Sequence, residues 1–325
     1  MSGPLLEIRD LHIGIARRHR NDEIVRGVDL AIEAGEKWGI VGESGSGKTL
    51  TMLSVLRLLA SPPLSVLRGE IRFDGEDLAH VDDRRLREVR GGDIAMVYQD
   101  PMTSLNPLLR VGRQLEETLK AHGASPAQAQ ARTRDVLRQV GLSDPERVRT
   151  SYPHQLSGGM IQRVMIAMAL ATSPRVLIAD EPTTALDVTI QRQILELVTA
   201  LQASTGMAVL WVTHDLGVVA SLVDKVAVMY AGRIVEKAHT TRLFEHPTHP
   251  YTKALLESLP GAGSAHRSAL HQIGSTPPDP TRLGAGCPFR ERCPYAVDQC
   301  ASSEPALMDR GQGSFAACWK EPSQW

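Results

Sequence analysis

Gly42-Glu43-Ser44-Gly45-Ser46-Gly47-Lys48-Thr49 follows the short apolar run Trp38-Gly39-Ile40-Val41 and precedes a stretch, Thr49 to Leu59, with helical spacing of its apolar residues. Strand, glycine-rich turn and helix together make a phosphate loop. The glycines let backbone N–H groups converge on phosphate oxygens, and the helix behind the loop adds its positive end. Gly42, Ser44, Gly45, Ser46 and Gly47 form the cradle. Lys48 is placed to reach the β and γ phosphates, and the Thr49 hydroxyl to ligate Mg²⁺, a cation that prefers oxygen ligands. The loop alone says only that nucleotide phosphates bind, since kinases and GTPases share it.

Working outward, Val176-Leu177-Ile178-Ala179-Asp180-Glu181 reads as a buried strand ending in two acids. Successive strand residues point to opposite sides, so the two carboxylates have different tasks. Asp180 is expected to support Mg²⁺ and Glu181 to polarise an attacking water as general base. A second apolar run, Val209–Val212, leads into Thr213-His214, where His214 is expected to meet the γ-phosphate and the water. Ile94–Tyr98 reads as another strand, and Gln99 at its end is a candidate for the Mg²⁺ shell and for signalling to a moving partner.

Leu156-Ser157-Gly158-Gly159-Met160 decides between the nucleotide-binding classes. Ser157, Gly158 and Gly159 stand at the expected start of a helix running to Ala171, a second N-terminus suited to an anion. Two phosphate-binding surfaces in one chain suit a head-to-tail dimer, in which each ATP lies between one chain's P-loop and the other's Ser-Gly-Gly.

On these residues the chain resembles ABC transporter nucleotide-binding subunits. The order matches: P-loop at 42–49, Gln99, Ser157-Gly158-Gly159, Asp180-Glu181, Thr184-Ala185-Leu186-Asp187 and His214. A narrower resemblance, to the oligopeptide/dipeptide uptake subfamily, rests on Gln99 to Pro107, Tyr152-Pro153-His154-Gln155, His249-Pro250-Tyr251-Thr252 and Pro277-Pro278-Asp279. It implies an α/β fold: a P-loop ATPase domain with a RecA-like core, an antiparallel β subdomain and a helical subdomain, plus a C-terminal cysteine-containing extension. It also implies Asp187, in the D-loop, as a nucleotide-binding residue, and partners: a homologous second ATPase subunit, two transmembrane permease subunits and an extracytoplasmic substrate-binding protein. The implied work is ATP hydrolysis driving import of di- or oligopeptides, with a nickel–chelator or other metal–chelator cargo as the alternative. Such domains carry an adenine-stacking aromatic upstream of the P-loop. Between Leu11 and Val28 there is no Phe, Tyr or Trp, which leaves His19 or Ile24 as candidates.

Bulk properties agree. The 325 residues carry 42% hydrophobic residues, enough for a sizeable core, and a net charge of −1, which gives no support to nucleic-acid binding. No apolar run reaches the roughly 18 residues of a membrane span. The N-terminus has neither a basic nor an apolar signal region, so the expected location is the cytoplasmic face of the inner membrane, held there by partners. A soluble ABC ATPase acting on DNA or ribosomes would carry a coiled-coil insertion or a tandem ATPase domain, and this chain has neither. A subunit that binds ATP without hydrolysing it fits poorly with Glu181 and His214 both in place.

Around residue 260 the composition turns to Gly, Pro, Ser and Cys. The expected division is an ATPase domain over 1–259, its helical part about 100–172, and an extension over 260–325. All four cysteines lie in the extension: Cys287, Cys293, Cys300 and Cys318. Too few apolar residues are present to hold a core, so docking or a metal must order it. The spacing lacks the close pairs usual for zinc. Iron–sulfur ligation, zinc and free thiols all remain open on spacing alone, and the resemblance favours a [4Fe-4S] cluster.

Overall fold

The computed structural model of the chain describes residues 3–16, 21–100, 104–184, 186–259, 274 and 276–325. The chain divides into two compact units. Met1–Glu33, Lys37–Ala79 and Trp211–Trp325 form one; Ala34–Glu36 and His80–Leu210 form the other.

In the first unit, Leu6–Ala16 sits between Asn21–Ile32 and Leu64–Phe73 in an antiparallel sheet, with the two-residue strand Glu76–Asp77 at the edge. Ile8 and Leu11 are three positions apart and would face opposite sides of a regular strand. The pairing register shifts between them, and both are buried; the bulge turns Leu11 back into the core. By composition the charged stretch Ala16–Glu23 reads as a loop between strands, yet it is partly strand. Asp22 and Glu23 pair with Ile15 and Gly14, so the polar residues extend the ladder rather than end it.

A second sheet in this unit carries the phosphate loop. Lys37–Val41 runs parallel to Lys225–Tyr230, pairing Trp38 with Lys225 through to Val41 with Val228. Lys225–Tyr230 then turns back antiparallel into Arg233–His239. The connecting residues Ala231 and Gly232 have φ of 46° and 84°, as a two-residue hairpin turn requires. Helix Lys48–Val55 follows the loop and buries Met52 and Val55.

The C-terminal tail joins this unit by docking. Phe315–Ala316 adds antiparallel to Glu236 and Lys237, and Met308–Asp309 adds outside it. Phe289 is 2% exposed, its ring centroid 5.3 Å from Tyr230, 5.4 Å from Tyr251 and 5.9 Å from His249. Burying one such side chain contributes about 1.5–3 kcal/mol. The tail therefore borrows its core from the domain it covers.

The second unit pairs Ile94–Val97 parallel with Val176–Asp180. Its helices include Val111–Ala121, Pro126–Gln139, Pro145–Thr150, Gly158–Leu170 and Val188–Thr205. Ser125-Pro126 reads in the sequence as a helix start, Ser as N-cap and Pro at the first position, and Pro126–Gln139 begins there: Ser125 accepts from Gln128 N while the Gln128 side chain accepts from Ser125 N, a complete capping box. Gly141 at φ 74° ends it. Gly158–Leu170 buries Ile161, Gln162, Val164, Met165, Ile166, Ala167, Ala169 and Leu170, more than one stripe, as in a helix enclosed by the core. Among the described residues, no helix is long and apolar enough to cross a membrane.

Candidate active site

The phosphate loop is built tightly against its neighbour strand. A Cβ on Gly42 would stand 2.1 Å from the Met229 carbonyl oxygen, so only glycine lets the loop leave the sheet here. Lys48 is 5% exposed. Its Nζ donates to the carbonyls of Gly42 at 2.8 Å and Glu43 at 3.0 Å. These bonds hold the ammonium inside the curve of the loop. Ser46 is buried, and its Oγ has no hydrogen-bond partner among the described residues. Buried hydroxyls are nearly always satisfied, and a phosphate oxygen in the cradle would satisfy this one. Ser44 and Gly45 are exposed at the tip of the loop and Thr49 is half-buried at the helix start. In the same unit His214, exposed, follows strand Ala208–Thr213 directly, and Asp215 beside it caps helix Leu216–Leu222 by accepting from Gly217 N and Val218 N.

The second unit gathers the carboxylates. Every residue of Val176–Asp180 is buried, and Asp180 is 2% exposed. Glu181 follows at φ 45°, a left-handed conformation rare for a side chain of this size and typical of functional sites. Its Oε2 accepts from Thr184 Oγ1 at 2.9 Å and from Gln99 Nε2 at 3.4 Å. Gln99 and Glu181, 82 residues apart, are thus brought together. Sequence reasoning missed Thr184 as the partner of Glu181; the only signal was its place three residues on, within turn reach.

Ser157 is the N-cap of Gly158–Leu170, its Oγ accepting from Met160 N at 3.4 Å. Ser157 and Gly158 are exposed, and a Cβ on Gly158 would meet nothing within 4 Å, whereas one on Gly159 would press on Ile190 Cγ2 at 3.1 Å. This helix end is open to an anion. Asp187 caps Val188–Thr205 by accepting from Ile190 N at 3.0 Å, and Val188 beside it is 82% exposed. Of the two adenine candidates, Ile24 lies in strand Asn21–Ile32, half-buried; His19 lies outside the described residues.

The iron–sulfur expectation for the tail is corrected. Cys287, Cys293, Cys300 and Cys318 carry no disulfide and border one small cavity. Yet among the described residues, no group of three or more His, Cys, Asp or Glu side chains is placed to hold a metal ion. Burial pushes the Cys287 thiol up to about 12 and raises Cys293 and Cys318 as well, as apolar surroundings do to a thiol. The tail is ordered by strand pairing and the Phe289 cluster.

Residues 25–184 match the family model described as ABC transporter, and residues 235–300 match that of the oligopeptide/dipeptide transporter C-terminal region. The chain is 50% identical over 317 residues to a probable peptide ABC transporter ATP-binding protein of Sinorhizobium fredii, covering 97% of this chain and 95% of that one. It is 45% identical to the oligopeptide transport ATP-binding protein OppD of Bacillus subtilis, covering 97% and 88%. Among solved structures, the dimeric cassette MJ0796 bound to ADP and Pi superposes with a TM-score of 0.63 at 28% identity, covering 72% of this chain and 98% of that one. CbiO1 from Clostridium perfringens gives 0.65 at 25%, covering 75% and 92%.

Proposed function

This chain belongs to the ATP-binding subunits of ABC transporters, on the oligopeptide/dipeptide branch, and from that premise we propose how its residues divide the work. The subunit binds and hydrolyses ATP to energise peptide import, as a peripheral component with permease subunits and a substrate-binding protein. The P-loop residues Gly42 to Thr49 bind the phosphates, with Lys48 countering their charge. Thr49, Gln99 and Asp180 offer hydroxyl, amide and carboxylate oxygens, a donor set suited to Mg²⁺. That ion would neutralise charge on the phosphates. Glu181 takes the proton of the attacking water, and His214 steadies the water and the γ-phosphate. Ser157, Gly158, Gly159 and Asp187 serve the ATP held on a partner's P-loop. That partner is a homologous ATPase subunit, so the working dimer is a heterodimer. The extension from 260 onward is a module added to the ATPase domain of 1–259.

The observation that carries the reading is Glu181 itself: a carboxylate 9% exposed, at the end of a buried strand, in a strained conformation, and tethered by Gln99 and Thr184. The test is reconstitution of the subunit in lipid vesicles with its homologous partner, permeases and binding protein. Oligopeptide should stimulate ATP hydrolysis and accumulate inside. Stimulation by a nickel–chelator complex and not by peptide would overturn the cargo assignment.

A further inference from the structure

Arg292, between Cys287 and Cys293 in the tail, reaches the phosphate loop. Its side chain is 3% exposed. Nη1 donates to Glu43 Oε2 at 2.6 Å and Nη2 to Oε1 at 2.8 Å, a bidentate pair across 249 residues of sequence. Nη1 also donates to Tyr230 Oη at 3.2 Å, and Nε to the Gly274 carbonyl at 2.8 Å. The guanidinium is thus fixed from three sides.

Glu43 is the second residue of the loop, and the rest of it is held as well. Its N–H donates to Tyr251 Oη at 3.0 Å. Its carbonyl accepts from Lys48 Nζ at 3.0 Å and from Ser46 N at 3.2 Å. The conformation of the cradle therefore passes through this one residue. Its carboxylate is also a liability, because a negative charge in a phosphate loop opposes the ligand. A bidentate guanidinium removes that opposition and fixes the side chain's direction, which a lysine would do less well.

We propose that Arg292 is a positioning residue for ATP binding: by neutralising and orienting Glu43, the cysteine-bearing tail holds the phosphate loop in its binding conformation. The proposal rests on the reading of residues 42–49 as the ATP site.

The test uses the full-length chain and MgATP in titration calorimetry. Arg292→Gln leaves Glu43 charged and unopposed; the Kd for MgATP should rise about tenfold, or ~1.4 kcal/mol. Arg292→Lys keeps the charge and loses the fork, so a smaller rise, about threefold, is expected. The double variant Arg292→Gln with Glu43→Gln has no carboxylate left to oppose phosphate and should return to within about threefold of the parent. In steady-state hydrolysis the loss should fall on KM rather than kcat. A merely structural arginine would give a double variant as weak as the single one, and that result overturns the proposal. So does parent-like affinity in both single variants. If Arg292→Gln does not fold, Arg292→Lys alone and with Glu43→Gln decides by the same comparison. Lys48→Ala separates the two readings. Unchanged MgATP binding there would bring down the ATP-site assignment itself; lost binding there with unaffected Arg292 variants would bring down only this inference.

Discussion

Gln99 Nε2 stands 3.4 Å from Glu181 Oε2, the same oxygen that accepts the Thr184 hydroxyl at 2.9 Å. One carboxylate oxygen is thereby tethered from two directions. A base held in this way loses little entropy on meeting its water. In the proposed function Gln99 is also the residue from which motion would pass to the permease, and this hydrogen bond would then link the base to that signal.

Glu181→Gln keeps the shape and loses the basicity. MgATP affinity should stay close to the parent's while kcat for hydrolysis drops by about 10²-fold or more, the usual contribution of a general base. Binding titration and steady-state hydrolysis on one preparation check this, and near-parental turnover would remove Glu181 from the role.

Gly42→Ala tests the fit of the loop against the sheet. The added Cβ would fall 2.1 Å from a backbone oxygen of strand Lys225–Tyr230, which cannot swing aside as a side chain would. Overpacking of this kind costs about 1–3 kcal/mol. Gly45, at φ 81° with nothing within 4 Å of its Cβ position, meets only the left-handed backbone penalty, about 1–2 kcal/mol. Thermal unfolding of the two variants should therefore rank Gly42→Ala as the less stable, with a matching loss of MgATP affinity.

The phosphate loop and the acid-ended strand are legible in the sequence because each joins a hydrophobic run to a residue type with one conformational use. Gly42 to Thr49 and Asp180-Glu181 are local signals, and Ser125-Pro126 is a local cap. Strand Leu64–Phe73 went unread, since only Ile71 and Phe73 in it are buried and alternation is too weak to show. The tail strands are two residues long and owe their existence to the edge they dock on. Arg292 and Glu43 meet through tertiary structure alone, and no spacing rule reaches across 249 residues. The cysteine spacing left cluster, zinc and free thiols open, and the cluster expectation came from the resemblance; among the described residues no group of three or more His, Cys, Asp or Glu side chains is placed to hold a metal ion.

His249 gives the fold a pH dependence. The ring is buried, its Nδ1 accepts from Tyr251 N to cap helix Pro250–Glu257, and burial, with Arg310 adding repulsion, holds its pKa down to about 3 from an ordinary 6.5. The unfolded chain takes up a proton below about pH 6.5 that the folded chain refuses. Stability is therefore full above 6.5 and falls as pH drops toward 3, by up to ~1.4 kcal/mol per pH unit. His249→Asn keeps a capping oxygen and removes the proton site. The difference in denaturant midpoint between variant and parent should shift in the variant's favour from pH 7 to pH 5; a constant difference would mean that His249 is protonated in the fold.

Glu304 is the polar anchor of the tail. It takes Arg26 in a bidentate pair at 3.1 and 2.9 Å and Arg233 at 3.0 Å. Arg26 in turn donates through Nε to the Ala231 carbonyl and through its backbone N to the Gly232 carbonyl, so the tail is clamped to the hairpin turn beside the phosphate loop. Glu304→Ala leaves two partly buried guanidinium groups facing each other with no anion. Charged hydrogen bonds contribute about 1.5–3 kcal/mol, and partial exposure reduces that here to about 1–2 kcal/mol. The expected result is a lowered denaturant midpoint and faster protease cleavage in the tail, with the two effects moving together. If Phe289, Ala316 and Ala317 alone hold the tail by apolar burial, the midpoint falls little and cleavage does not change. Raising salt discriminates further, because it should narrow the gap between parent and variant only if the lost interaction is ionic.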